Sequence, residues 1–186
     1  MKLAAALAVA VSVGLQVGAA AGPALTPAEL LAGIARGAER EVQFQEVRTA
    51  RLLKTPIRSN GVLRFIQPDR LERETLQPVH ETVVIEGADI TIDRAGAQTS
   101  VSLSSGSPPA MMVQTLRAVL SGDWRELELM NRVQATGSIS EWTLLLEPRA
   151  DSTMIREIRL SGHNDSVDEI AVIERNGDST ITRLLR

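Results

Sequence analysis

Residues 59–86 read SNGVLRFIQPDRLERETLQPVHETVVIE, and this stretch decides the fold. Three β-rich runs, Val62–Ile66, Leu71–Leu76 and Thr82–Ile85, are broken at Gln67-Pro68-Asp69 and at Gln77-Pro78. Pro cannot donate to a sheet ladder and pre-sets φ, so each break marks a sheet corner or edge. A strand turns successive side chains to opposite faces. Leu63, Phe65 and Gln67 therefore share one face, and Leu71, Arg73 and Thr75 share a face of the next strand.

Working outward, Thr82–Glu86, Asp89–Asp93 and Gln98–Leu103 continue the series, with turns at Gly87-Ala88 and Ala95-Gly96-Ala97. Later strands are expected at Arg132–Thr136, Trp142–Glu147, Ile155–Leu160, Val167–Arg175 and Ser179–Leu184. Asn176-Gly177 is a two-residue hairpin signal. Short, evenly spaced runs of this kind predict an antiparallel meander curling toward a barrel. Two helices interrupt it. Pro108-Pro109 opens one carrying Met111, Met112, Leu116, Val119 and Leu120, and Gly122 ends it. Asp123-x-x-Glu126 caps a second one through Met130. Upstream, Thr26-Pro27-Ala28-Glu29 is a capping box that starts a helix running to about Arg40. Gly33 and Gly37 weaken that helix but let it lie close against a sheet.

From Glu41 the period changes to two. Val42, Phe44, Ala50 and Leu52 share one strand face with Glu46 and Arg48. Either a bulge or a ladder edge returns these two charges to solvent, or they form a polar pair at the rim of a cavity. The fold class expected is mainly β with α: a half-open antiparallel barrel, a curved sheet with helices covering its concave face.

Residues 1–24 are expected to be a signal peptide, with Lys2 as the positive region, an apolar run from Leu3 to Val17, and Ala19-Ala20-Ala21 at the cleavage site. The run is shorter than the ~20 residues that span a bilayer. The 186-residue chain has no Cys, which excludes disulfides, thiolate chemistry and a lipid-modified N-terminal Cys. Residues 25–186 suit one domain with one core. Removing Lys2 from the 20 basic residues leaves 19 against 23 acidic, a net charge of −4. That balance excludes a nucleic-acid partner. Two Phe, two Trp and no Tyr leave an aliphatic interior.

Enzymatic groups do not converge. His80-Glu81 begins like a zinc-protease motif, but Val84 stands where the second His belongs. No Gly-x-Ser-x-Gly elbow or Ser-x-x-Lys supplies an activated nucleophile. Glu72 and Glu74 alternate with Leu71, Arg73 and Thr75 and read as the wet side of a half-buried strand. The chain is read as a non-enzyme with no cofactor and no metal.

The order G-x-L-x-F-x-x-P-x-x-L, then a second Pro and another strand, resembles the periplasmic outer-membrane lipoprotein carrier family (LolA-like). It is most similar to that family's short branch associated with lipid or aryl-polyene export. Phe44-x-Glu46-x-Arg48, Leu120-Ser-Gly-Asp-Trp124 and Trp142-x-Leu144-x-Leu146-x-Pro148 extend the resemblance. The chain departs from the carriers at Gln67, where they place an Arg that latches the lid, and at Leu71, where they carry a bulky aromatic residue.

The candidate site is the apolar concave face: Leu63, Phe65, Gln67, Leu71, Arg73, Val83, Ile85, Ile90, Ile92, Val101, Leu103, Trp142, Leu144 and Leu146. Met111, Met112 and Leu116 close over it, with Glu46 and Arg48 at the rim. From the residues alone these side chains could equally fill one another's space. The resemblance implies an unfilled cavity under the helices. It further implies a monomeric periplasmic carrier that binds acyl chains of a lipoprotein or lipid-like molecule and moves it toward the outer membrane. The transient partners of such a carrier are an inner-membrane exporter and an outer-membrane acceptor. The other function left open is a periplasmic lipid- or lipoprotein-sensing module that regulates a partner protein.

Overall fold

The computed structural model describes residues 26–37, 41–66, 69–104, 108–149 and 154–186. The expected signal peptide, Gln67 and the Met112 side chain lie outside the described residues. Helix α1 spans Pro27–Gly37, α2 Pro108–Ser121 and α3 Trp124–Met130. The first six strands are β1 Glu41–Thr49, β2 Ile57–Ile66, β3 Arg70–Gln77, β4 Glu81–Glu86, β5 Asp89–Arg94 and β6 Ala97–Ser102. After the helices come β7 Asn131–Ser138, β8 Glu141–Pro148, β9 Ile155–His163, β10 Ser166–Glu174 and β11 Ser179–Leu185.

All eleven strands form one antiparallel sheet in the order β6-β5-β4-β3-β2-β1-β11-β10-β9-β8-β7. The sheet is not closed, because β6 and β7 are its two edges. Two meanders are joined where β1 pairs with β11, placing Phe44 opposite Leu184 and Glu46 opposite Thr182. The expected fold class therefore stands. Two details differ. β1 ends at Thr49, and Leu52 lies in the following turn, 97% exposed. β2 begins at Ile57, because Arg58-Ser59-Asn60-Gly61, which has turn composition, is paired to β1 along its whole length.

The capping box starts α1 as its sequence requires: the Glu29 amide donates to Thr26 Oγ1 at 3.2 Å, and the Thr26 amide to Glu29 Oε2 at 3.3 Å. Asp123 caps α3 by accepting from the Glu126 amide at 3.0 Å. Leu30, Leu31 and Ile34 of α1 join Ala118, Val119 and Leu127 of the other helices over Trp142, Leu144, Leu146, Ile158 and Leu160 of β8 and β9. This is the core, and it occupies one half of the concave face. The opposite face is polar. Arg64 bonds Glu41 at 2.7 Å and Glu74 at 3.0 Å, and Arg70 bonds Glu72 at 2.6 Å and Glu86 at 2.9 Å. Such half-exposed pairs contribute little stability each. They do mark which face is wet.

Gly37 and Gly61 are among the glycines that close approach requires. A Cβ on Gly37 would lie 2.3 Å from the Asp165 carbonyl oxygen, so α1 can rest on the β9–β10 turn only with Gly there. At Gly61 a Cβ would lie 1.9 Å from the Glu74 carbonyl oxygen and 2.9 Å from the Phe44 ring. Gly61→Ala is expected to cost about 1–3 kcal/mol through forced backbone shifts, read as a lowered urea midpoint. A neutral result would mean that the β2–β3 pairing is looser at this point.

Candidate functional site

Over the other half of the concave face the helices do not reach the sheet, and a cavity of about 450 Å³ remains. Its floor follows from the register. Val42, Leu63, Arg73 and Val83 stand in one cross-strand row, and Phe65, Leu71 and Ile85 in the next. β10 and β11 add Val167, Ile170, Val172, Thr180, Thr182 and Leu184, and β9 adds Leu160. A register shift between Val167 and Glu169 keeps Val167 and Ile170 on the same side. Helix α2 forms the roof with Leu116, Val119 and Leu120. Arg117, from the same turn of α2, donates through Nε to the Asp69 carbonyl at 3.0 Å, tying the roof to the β2–β3 turn.

Of the residues expected at the site, Leu63, Phe65, Leu71, Arg73, Val83, Ile85, Leu116 and Glu46 line this cavity. Ile90 and Ile92 follow them along the same rows on β5 but lie beyond the lining, half-buried. Val101 and Leu103 lie farther out, at and just after β6, with Val101 52% exposed. Met111 is in the second turn of α2 and outside the lining. Trp142, Leu144 and Leu146 share the face but are filled over by α1 and α3, so they form core rather than wall. Trp142 also donates from Nε1 to the Asn164 carbonyl at 2.9 Å.

The charged pair differs from the sequence expectation. β1 pairs with both neighbours without a bulge, and Arg48 stands exposed near its end. Glu46 instead meets Arg73 from β3, in a bidentate pair of 2.8 and 2.9 Å. Thr182 Oγ1 donates to the same carboxylate at 2.9 Å and Ser59 Oγ at 3.3 Å. The Arg73 guanidinium lies 4.6 Å over the Phe44 ring, a cation–π contact. Parity could place Arg73 on the concave face, but its diagonal reach to Glu46 depends on the β1–β2–β3 stagger.

Burial pushes the Glu46 carboxyl up, but its bonds to Arg73, the Arg73 charge, Thr182 and Ser59 outweigh that and hold it below the ordinary 4.5. A depressed folded-state value stabilises the fold above the unfolded value, and the gain is lost as pH falls through the folded one. The wild-type urea midpoint is therefore expected to fall below about pH 4.5. Glu46→Gln should be less stable at neutral pH and lose less on acidification. Parallel pH curves for the two proteins would disprove the assignment.

A family model described as outer membrane lipoprotein carrier protein LolA-like matches residues 19–185. The chain belongs to the LolA-like family. No curated protein sequence matches this LolA-like chain. Among solved structures, a LolA superfamily protein from Nitrosomonas europaea matches at TM-score 0.49 and 9% identity, over 88% of this chain and 93% of that one. Lipoprotein LppX from Mycobacterium tuberculosis matches at TM-score 0.44 and 14% identity, over 86% and 95%. A chain of the Pseudomonas aeruginosa MucA/MucB complex matches at TM-score 0.45 and 12% identity, over 84% of this chain and 54% of that one. At such scores the likeness carries no ligand or partner to this chain. Among the described residues no acidic or His cluster could hold a metal, and no helix is long and apolar enough to cross a membrane.

Proposed function

We propose that this LolA-like protein is a periplasmic carrier. It holds the acyl chain of a lipoprotein or lipid-like molecule in its cavity and moves it toward the outer membrane. An inner-membrane exporter would supply the cargo and an outer-membrane acceptor would receive it. The cavity carries the reading: about 450 Å³ with a mainly apolar wall falls within the ~300–1,000 Å³ of ligand pockets. Each CH₂ moved there from water gains ~0.8 kcal/mol, so a tail of ordinary length is held without a specific polar contact. An aliphatic wall with no convergent nucleophile or metal cluster among the described residues favours carriage over chemistry.

Native mass spectrometry of the protein purified from the periplasm tests this. Co-purifying lipid, or uptake of a fluorescent acyl probe by delipidated protein, is the expected result. A clean apo mass with no uptake would overturn it.

A further inference from the structure

The Glu46–Arg73 pair on the cavity wall has used up its acceptors but not its donors. The Glu46 carboxylate accepts four bonds, two from Arg73 and one each from Thr182 and Ser59, which fills its lone pairs. Arg73 spends three donors, two on Glu46 and Nε on Thr75 Oγ1 at 3.4 Å, and a guanidinium has more N–H groups than these. The Arg73 side chain stays 34% accessible on the wall, against 11% for Glu46. The Phe44 ring covers one face of the guanidinium, and the bidentate pair fixes its plane. What remains is a rigid, donor-only edge in an aliphatic hollow.

Resting on the carrier reading above, we infer that the cavity selects a hydrocarbon tail bearing a carbonyl-type acceptor, an ester, amide or carboxylate oxygen, which docks on the free N–H groups of Arg73. An alkyl ammonium head is rejected, because it would face a guanidinium beside a carboxylate with no lone pair to give. Since Glu46 neutralises Arg73, a net negative charge on the head is not required. An uncharged ester is therefore accepted alongside a carboxylate. A hydrogen bond to an ionised partner formed away from bulk water is stronger than one between neutral groups, so the head adds selectivity to what the tail contributes.

The test loads delipidated full-length protein with the dye N-phenyl-1-naphthylamine. The dye is then displaced with methyl dodecanoate, dodecanoic acid, dodecylamine and dodecane. Ester and acid are expected to displace it at about ten-fold lower concentration than the amine, with the alkane between. The acid and ester arms separate a free fatty acid from an esterified chain. In Glu46→Gln/Arg73→Met, which leaves no charge stranded, the ester-to-amine ratio should fall to near one. Equal displacement by amine and ester in the wild type overturns this inference while leaving the cavity occupied. So does a ratio that persists in the double variant. Failure of the dye and of every chain to bind overturns the carrier reading and this inference with it. The wild-type comparison decides the matter even if the double variant does not fold.

Discussion

Leu71→Glu is expected to reduce acyl-probe uptake by at least about 30-fold with little loss of fold stability. Leu71 stands between Phe65 and Ile85 in the outer row of the floor, facing the cavity. An ionised carboxylate there either holds water in the hollow or must give up its hydration unpaired. Arg73, two residues along the same strand face, keeps N–H groups beyond its pair with Glu46, but the introduced carboxylate drawn to them would occupy the place of the cargo's own acceptor and of part of its tail. Leaving a polar group unmatched against hydrocarbon costs roughly 2–7 kcal/mol, and each 1.4 kcal/mol is tenfold in affinity. Without cargo the same side chain meets space and solvent, so the apo protein should keep its circular-dichroism spectrum and nearly its urea midpoint. Unchanged uptake would mean that the tail lies elsewhere.

How far the sequence reached differs between fold and site, for a physical reason. Alternation of side chains and turn composition are local, so nine of the strands fall within a few residues of where their patterns put them; β1 is over-extended past Thr49, and β2 begins at Ile57, five residues before Val62. Asn176-Gly177 lies in the turn that joins β10 and β11, but the loop runs over residues 175–178 rather than two residues, with Gly177 at φ 90°. Parity also sorted most of the faces: Leu63, Phe65, Leu71, Val83 and Ile85 line the cavity and Glu74 joins the outer ion pairs, while Glu72, paired with Arg70, also borders the cavity. It could not tell wall from core. Leu144 and Leu71 carry the same periodicity signal, and only the docking of α1, α2 and α3 over β8 and β9 makes one core and leaves the other bare. The pairing of β1 with β11 joins residues about as far apart as the described chain allows, and no local pattern announces it. For that reason Thr182, Leu184, Ile170 and Val172 were missed at the site. For the same reason Glu46 was matched with its sequence neighbour Arg48 rather than with Arg73.

That division of one face into a filled and an unfilled half has a measurable consequence. Trp142→Ala is expected to cost about 3–5 kcal/mol, and Leu63→Ala about 1 kcal/mol or less. Trp142 is 1% exposed, packed beneath α1 and α3, and its indole N–H has a backbone partner. Truncating it opens a sealed void and leaves the Asn164 carbonyl without its donor, so lost transfer, lost dispersion and lost hydrogen bonding combine. Against a typical total of ~5–15 kcal/mol, one such change brings the protein near unfolding. Leu63 has its side chain on the wall of an existing hollow. Its removal enlarges that hollow and forfeits only the contacts it makes with its row neighbours. Urea midpoints of the two variants, taken at unchanged m-value, decide between the pictures. A wide gap follows if the helices stand off from β2–β4 in solution. Equal costs would mean that α2 settles onto those strands in the free protein, so that the space for a hydrocarbon tail opens only when cargo forces the helix away.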